Sequence, residues 1–188
     1  MARFLSMAVL VLALSCACFT TEAKVYRDGT LQWTLITQAL QKSGKYSTYL
    51  AIVKKAGMQK WITDYLSSST TGFTCLVPPN AAFRTAKAAT LKPYAKTPAT
   101  LQDLLKFGML NFQATPQRLA KDAVGQGYVT FSGTGRQIQK YKAAKPGAVT
   151  VGPQFAQQGY ELANVTKILY RDPTAICYEI DNVLIPIK

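Results

Sequence analysis

The fold is decided by the stretch Phe73-Thr74-Cys75-Leu76-Val77-Pro78-Pro79-Asn80-Ala81-Ala82-Phe83. It opens with an apolar run that is bounded by Gly72 and by two prolines, and this pattern predicts a strand that is buried on both faces. Neither proline can donate a hydrogen bond to a neighbouring strand, so the backbone must turn there. Asn80 belongs to the residue types that cap helices, and we expect it to cap a helical turn that begins at Ala81.

The best partner for this strand lies near the other end of the chain. The segment from Ile176 to Pro186 first alternates apolar and polar residues, then becomes continuously apolar, and ends at the proline. This pattern predicts a second strand. Because the two strands are far apart in the sequence, their pairing predicts a non-local sheet that the C-terminal segment closes.

The remaining patterns predict an α+β domain. Helical spacing of apolar residues covers residues 30–40 and 47–56, and Gly57 is the expected C-cap of the second helix. Another helix is expected to begin at Thr100, with Asp103 at the offset of a capping box. Most of the helices precede the strands, as in α+β folds. Strand patterns in a mostly antiparallel sheet are predicted at residues 128–131, 137–141, 148–151 and 162–170, with a turn at Gly133-Thr134-Gly135.

The two decisive strands also resemble the two signatures of the fasciclin domain family. Pro79 departs from the hydroxyl residue that is usual in the first signature, whereas residues 46–50 are similar to the first helix of the family. The resemblance implies a single fasciclin-like domain, a β-sandwich-like wedge with several helices packed along it. The matching positions are Pro78, Asn80, Ala82 and Phe83 in the first signature and Tyr178, Ile180, Asp181, Val183, Leu184, Ile185 and Pro186 in the second.

Residues 1–23 have the pattern of a signal peptide. Arg3 precedes an apolar core from Phe4 to Leu14, and small residues at Thr21 and Ala23 suit a cleavage site. An uncleaved anchor is the alternative, but the apolar core is shorter than the roughly 20 residues that span a bilayer. We therefore expect the fasciclin-like domain to occupy residues 24–188 of a protein that is secreted to the cell wall or matrix, without a transmembrane segment or a lipid anchor.

Two cysteines follow the signal segment, Cys75 in the first signature strand and Cys177 in the second. If the strands are neighbours, the cysteines can form a disulfide in an oxidising compartment, worth about 4–5 kcal/mol in the chain-entropy model. Two buried free thiols that serve as small apolar residues are the alternative. Two thiols without a histidine do not predict a metal site.

The inventory of reactive side chains argues against catalysis. The chain contains no histidine, which excludes a histidine-based triad, an imidazole base and a histidine-containing metal site. No motif pairs two carboxylates as a glycosidase requires. The glycines at 133 and 135 lie between strand patterns, unlike those of a phosphate-binding loop. We predict no catalytic residue and no cofactor, so the protein is expected not to be an enzyme.

The net charge of +13 is the main functional signal from composition. Alternating strand residues such as Lys140 and Lys142 are expected on one face, where they form a basic stripe that attracts polyanions. An exported protein meets acidic polysaccharide or an anionic membrane surface more often than nucleic acid, so these two are the expected polyanions, and we predict a binder of acidic polysaccharide that does not bind nucleic acid. A solvated basic surface that only aids solubility is the alternative. The candidate stripe contains Lys87, Lys92, Lys96, Arg136, Lys140, Lys142 and Lys145.

The resemblance further implies a non-enzymatic adhesion or interaction module whose partners are extracellular matrix or cell-surface proteins. In that family a Tyr-His pair near the end of the central helix is discussed as an adhesion element. The corresponding pair here is Phe107-Gly108, so a role that depends on that pair does not carry over. The sequon Asn164-Val165-Thr166 predicts an N-linked glycan on Asn164 if its side chain reaches solvent.

Overall fold

The computed structural model describes residues 28–86, 88–132, 136–154 and 161–186. The predicted signal peptide, Lys87 and the predicted turn at residues 133–135 lie outside these ranges. The helices are α1 (Gly29–Lys42), α2 (Ser47–Lys55), α3 (Met58–Ser68), α4 (Asn80–Thr85), α5 (Ala88–Leu91), α6 (Pro98–Phe107) and α7 (Pro116–Lys121). The strands are β1 (Phe73–Val77), β2 (Met109–Leu110), β3 (Gly127–Val129), β4 (Gln137–Tyr141), β5 (Val149–Pro153), β6 (Ala163–Arg171) and β7 (Ala175–Ile180).

The strands form one sheet in the order β2-β1-β7-β6-β5-β4-β3. Every neighbouring pair is antiparallel except β1 and β7, which are parallel. An isolated bridge between Leu110 and Thr130 connects the two edges, so the sheet is nearly closed. The predicted α+β class and the predicted pairing of the two distant strands are both confirmed.

Strand β1 is buried along its whole length because each of its faces packs against a different part of the core. Phe73, Cys75 and Val77 belong to the cluster that also contains the inward faces of α1, α2 and α3. Leu76 belongs to a second cluster, formed by the interior of the curved sheet. Because side chains alternate along a strand, β1 contacts the helical layer with one face and the sheet interior with the other.

Two predicted boundaries are wrong. The central helix begins at Pro98 instead of Thr100, because Thr97 and Thr100 form a reciprocal capping box and proline suits the first helical position. Asp103 does not cap; it accepts a hydrogen bond from Ser132 (2.6 Å) and pairs with Arg136.

The second correction concerns the C-terminal strand, which was predicted to run from residue 176 to the proline at 186. It ends at Ile180 instead. Val183 then packs against α4 and α6, whereas Leu184 packs in the sheet interior. The apolar run after Asp181 thus reflects burial in two clusters rather than continued strand pairing. The C-cap of α2 is Ala56, and Gly57, the predicted C-cap, follows it with a left-handed φ of 67°.

Candidate interaction surface

The residues of the first signature fasten one helix to another. Pro79 occupies the N-cap position of α4, and Asn80 is its first residue, so the predicted local cap is wrong. The Asn80 side chain instead accepts a hydrogen bond from the backbone N–H of Thr48 (2.9 Å) and donates to the carbonyl of Gly44 (3.3 Å) and to Ser47 Oγ (3.0 Å). Asn80 therefore caps α2 from a distance, because α2 itself begins without a side-chain cap.

The residues of the second signature also form hydrogen bonds that connect distant segments of the chain. The Tyr178 hydroxyl donates to the carbonyl of Ala114 (2.7 Å), and the carbonyl of Pro186 accepts from Tyr94 (2.8 Å). Asp181 accepts two hydrogen bonds of 2.7 Å from Asn164, one from its backbone N–H and one from its side-chain amide. The bonds of Asp181 and Pro186 therefore attach the segment that follows β7 to the rest of the domain.

A small apolar cavity lies where the two signatures meet. Its volume is about 20 Å³, and Pro78 and Phe83 are among the residues that line it. A space of this size holds roughly one water molecule, so it is a packing defect rather than a ligand site. Phe107 is buried, and Gly108 lines the cavity with its backbone. A Cβ atom on Gly108 would lie 3.2 Å from the Leu76 carbonyl oxygen, which leaves little room for the side chain that the family carries there.

The cysteine pair lies between the helical layer and the sheet. Cys75 and Cys177 face each other in the β1–β7 register, and both are fully buried. They are free thiols in this structure, with 2.7 Å between their sulfur atoms. Burial, together with the hydrogen bond to Cys75, raises the pKa of the Cys177 thiol, which disfavours a reactive thiolate. The disulfide stays a prediction.

All eight carboxylates of the described residues are engaged within the molecule. The chain has nine acidic residues, and the ninth, Glu22, lies outside the described ranges. The partners are backbone N–H groups, hydroxyls and side-chain amides and, in four ion pairs, lysine or arginine side chains. The partner residues are Thr30 and Leu31 for Asp28, Lys60 for Asp64, Ser132 and Arg136 for Asp103, Tyr128 and Arg118 for Asp122, Asn182 for Glu161, Thr174 and Ala175 for Asp172, Tyr46, Thr166 and Lys167 for Glu179, and Asn164 for Asp181.

Glu179 is the most connected of these carboxylates in the signature strands. Burial alone would raise its pKa, but hydrogen bonds from Tyr46 and Thr166 and the charge of Lys167 outweigh burial and lower the pKa. Its partner Tyr46 has a raised pKa because it is buried and donates to the carboxylate. This pairing ties the chain just before α2 to β7.

The basic residues predicted as one stripe fall into three groups. Lys92, Lys96, Lys142 and Lys145 are exposed, and within the described part of the chain they have no ion-pair partner. Arg136 is paired with Asp103. Lys140 is only 8% exposed, so its assignment to the stripe is wrong. Lys54 and Lys55 are also exposed and have no ion-pair partner among the described residues, and we use the name lysine surface for these two together with the first four.

Lys140 is buried because β4 presents it on the same face as Ile138. Its ammonium group donates hydrogen bonds to the carbonyls of Leu119 (2.6 Å), Ala120 (3.1 Å) and Asp122 (2.6 Å). These carbonyls lie at the C-terminal end of α7, where a cation is favourable. Lys142 comes after the end of β4 and is exposed, so strand alternation does not relate the two lysines.

The Asn164 side chain is exposed, which meets the condition for a glycan. Its amide nitrogen already donates to Asp181, and the amide has a second hydrogen that a glycan can replace. Within the described ranges, no group of three or more histidine, cysteine or acidic residues is placed to hold a metal ion. In the same part of the chain, the helices are too short or too polar to span a bilayer.

Sequence patterns did not point to a groove of about 420 Å³ between α1, α2 and the start of α3. Its position follows from the packing of three helices, which no local pattern encodes. One signal was present: polar residues at positions 34, 37 and 41 have helical spacing and so lie on one face of α1. The lining residues are Trp33, Thr34, Thr37, Gln41, Leu50, Ala51, Val53, Lys54 and Gln59.

Comparison with known proteins gives a consistent result. The sequence model of the fasciclin domain matches residues 44–186. The chain is 27% identical over 173 residues to "Fasciclin-like arabinogalactan protein 11" of Arabidopsis thaliana, a match that covers 89% of this chain and 66% of the relative. It also resembles the FAS1 domain pair of the insect cell adhesion molecule fasciclin I, with a TM-score of 0.57, 14% identity, and coverage of 76% of this chain and 46% of that chain. These matches confirm the resemblance and the fasciclin-like fold.

Proposed function

Because the chain belongs to the fasciclin domain family, we propose that it is a secreted, non-enzymatic adhesion or interaction module of the extracellular matrix or cell wall. The family match over residues 44–186 carries the proposal. The plant relative is named as fasciclin-like, and the insect structure belongs to a cell adhesion molecule. The signal pattern in residues 1–23 supports secretion.

The chemistry of the described residues supports a non-enzymatic role. The chain has no histidine, and its eight described carboxylates bind groups of the protein itself. Imidazoles and free carboxylates are the commonest general acids and bases, and the described residues offer neither. The proposed partners are therefore bound, not converted, and they are matrix or cell-surface proteins or glycans.

Expression of the full chain in plant cells tests secretion and adhesion together. We expect the protein in the culture medium with a mature terminus near Lys24. Beads coated with it should adhere to isolated cell walls more strongly than beads coated with an unrelated protein of equal net charge. Retention inside the cells, or equal adhesion of both bead types, would contradict the proposal.

A second candidate function is binding of acidic polysaccharide by the lysine surface. It is favoured by a specific observation: the acidic side chains of the described residues are engaged internally, whereas the six lysines of the lysine surface have no ion-pair partner among the described residues. Such a surface attracts polyanions with an affinity that falls with salt. We expect retention on immobilised polygalacturonate at low salt and release at high salt. If the protein is retained equally on polygalacturonate and on a neutral glucan column, this function is contradicted.

We also propose an N-linked glycan on Asn164 of the secreted protein. Exposure of the side chain and the sequon support the site. Treatment with an N-glycosidase should reduce the mass of the wild-type protein and leave Asn164→Gln unchanged. An unmodified wild-type mass before treatment would exclude the glycan in that host.

A further inference from the structure

We propose that the groove between α1, α2 and the start of α3 is a binding site for a uronic acid unit of a polysaccharide. The inference rests on the second candidate function and deepens it, because it assigns one sugar unit of the polysaccharide to a defined site beside Lys54, which is one residue of the lysine surface. Size, lining chemistry and charge each support it.

The size of the groove suits a sugar. Its volume is about 420 Å³, within the range of roughly 300–1,000 Å³ that is typical of small-molecule sites. The apolar cavity between the signatures has only about 20 Å³. Of these two spaces, only the groove can admit a pyranose ring.

The lining of the groove combines an apolar part with hydrogen-bonding groups. Leu50 is partly exposed and supplies apolar surface for the C–H face of a sugar ring, whereas Trp33 and Val53 are buried and form the floor beneath it. Gln41 and Gln59 are exposed amides that can both donate and accept. A sugar ring likewise has an apolar face and a hydroxyl edge, so the two surfaces are complementary.

The two threonines of the groove add acceptors. The Thr34 hydroxyl donates to the carbonyl of Thr30 (2.8 Å), and the Thr37 hydroxyl donates to the carbonyl of Thr34 (2.9 Å). Because their hydrogens are already donated, each threonine has oxygen lone pairs left to accept hydrogen bonds from sugar hydroxyls. Together with the amides, they offer both kinds of partner that a sugar needs.

The charge of the groove favours an acidic sugar over a neutral one. Lys54 is exposed and lines the groove, which contains no carboxylate. The acidic residue of α3, Asp64, is paired with Lys60 at 2.7 Å. Lys54 therefore has no acidic partner among the described residues, and a sugar carboxylate can supply one.

The test measures binding of the full secreted protein to trigalacturonate and to its uncharged methyl ester by titration calorimetry. We compare wild type with Lys54→Gln, Ala51→Trp and the control Lys121→Gln. Lys121 is an exposed lysine that belongs neither to the groove lining nor to the lysine surface. Ala51 is exposed, so a tryptophan there fills the groove without entering the core. Unfolding midpoints of all variants verify that they are folded.

We expect Lys54→Gln to weaken trigalacturonate binding about fivefold or more, Ala51→Trp to abolish it, and Lys121→Gln to change it less than twofold. The methyl ester should bind wild type more weakly, and Lys54→Gln should not weaken it further. If wild type binds but Lys54→Gln and Lys121→Gln lose affinity equally, the groove is overturned while polysaccharide binding stands. If wild type binds neither trigalacturonate nor polygalacturonate, the second candidate function itself fails.

Discussion

The signature core and the lysine surface use polar side chains in opposite ways. In the signature core, defined as β1, β7 and the segments that Asn80 and Asp181 fasten to them, the side chains of Asn80 and Asp181 form hydrogen bonds with other groups of the protein. The six lysines of the lysine surface, in contrast, have no ion-pair partner among the described residues. Polar groups in the first region therefore specify the fold, whereas those in the second are available to ligands.

Lys140 and Lys142 show the same contrast between two residues that are close in sequence. Lys140 lies in β4 and caps α7 from inside the protein, whereas Lys142 follows the strand and is exposed. A run of basic residues in a sequence is therefore not equivalent to a basic surface. The four predictions below test the division between the two regions.

The largest expected effect is at the cysteine pair. If Cys75 and Cys177 form the predicted disulfide in the secreted protein, reduction should lower the free energy of unfolding by about 4–5 kcal/mol. Urea titrations with and without dithiothreitol measure this difference. The double variant Cys75→Ala/Cys177→Ala should not respond to the reductant. Alkylation of both thiols in unreduced, urea-unfolded protein would show instead that the residues are free.

Asn80 should give the next largest effect. Asn80→Ala removes the cap of α2 and three side-chain hydrogen bonds, and we expect a loss of about 2–3 kcal/mol in the free energy of unfolding. Asn80→Asp keeps the acceptor for the Thr48 N–H but loses both donors, so it should lose about half as much. Equal stability of all three proteins in urea would mean that the signature residue does not fasten the two helices.

The comparison of Lys140 with Lys142 separates structure from binding. Lys140→Met leaves three carbonyls without their donor, so we expect a loss of about 1–2 kcal/mol in stability and unchanged retention on polygalacturonate. Lys142→Met should change stability by less than about 0.5 kcal/mol and should reduce retention. Equally reduced retention of both folded variants would instead support the predicted stripe, which contains both lysines.

The smallest effect is the pH dependence that Glu179 contributes. Its pKa is lower in the folded protein than its usual value of about 4, so its stabilising effect is complete above that pH and is lost as the pH falls through the folded pKa. Glu179→Gln should cost about 1 kcal/mol at pH 7 and less at pH 3. Urea titrations at both pH values measure this. A cost that does not decrease with falling pH would contradict the role given to the charged form.

Much of the fold follows from short-range patterns. The apolar run of β1, the helical spacing in α1 and α2, and the left-handed glycine at 57 are local features, and the structure has them as predicted. The two signatures also identified the family correctly. Errors occurred at Thr100 and Asn80, where several residues can serve as a cap and the choice depends on what the side chain meets in space.

The candidate sites were harder to predict than the elements. Exposure of Asn164 and of four stripe lysines agrees with what the proposed sites require, but the burial of Lys140 and the pairing of Arg136 do not. The groove was missed altogether because its lining comes from three helices. Each of these outcomes depends on neighbours distant in the chain.

The sequence by itself determined that α1, α2 and β1 form, that β1 is buried on both faces, and that the chain carries a large positive charge. Apolar periodicity, prolines and composition act on the local backbone or on the whole chain, so they can be read without coordinates. Only the tertiary structure decided that Asn80 caps α2, that Lys140 caps α7, and that Lys54 lines a groove. The physical reason is that hydrogen bonding and burial depend on which groups packing brings together.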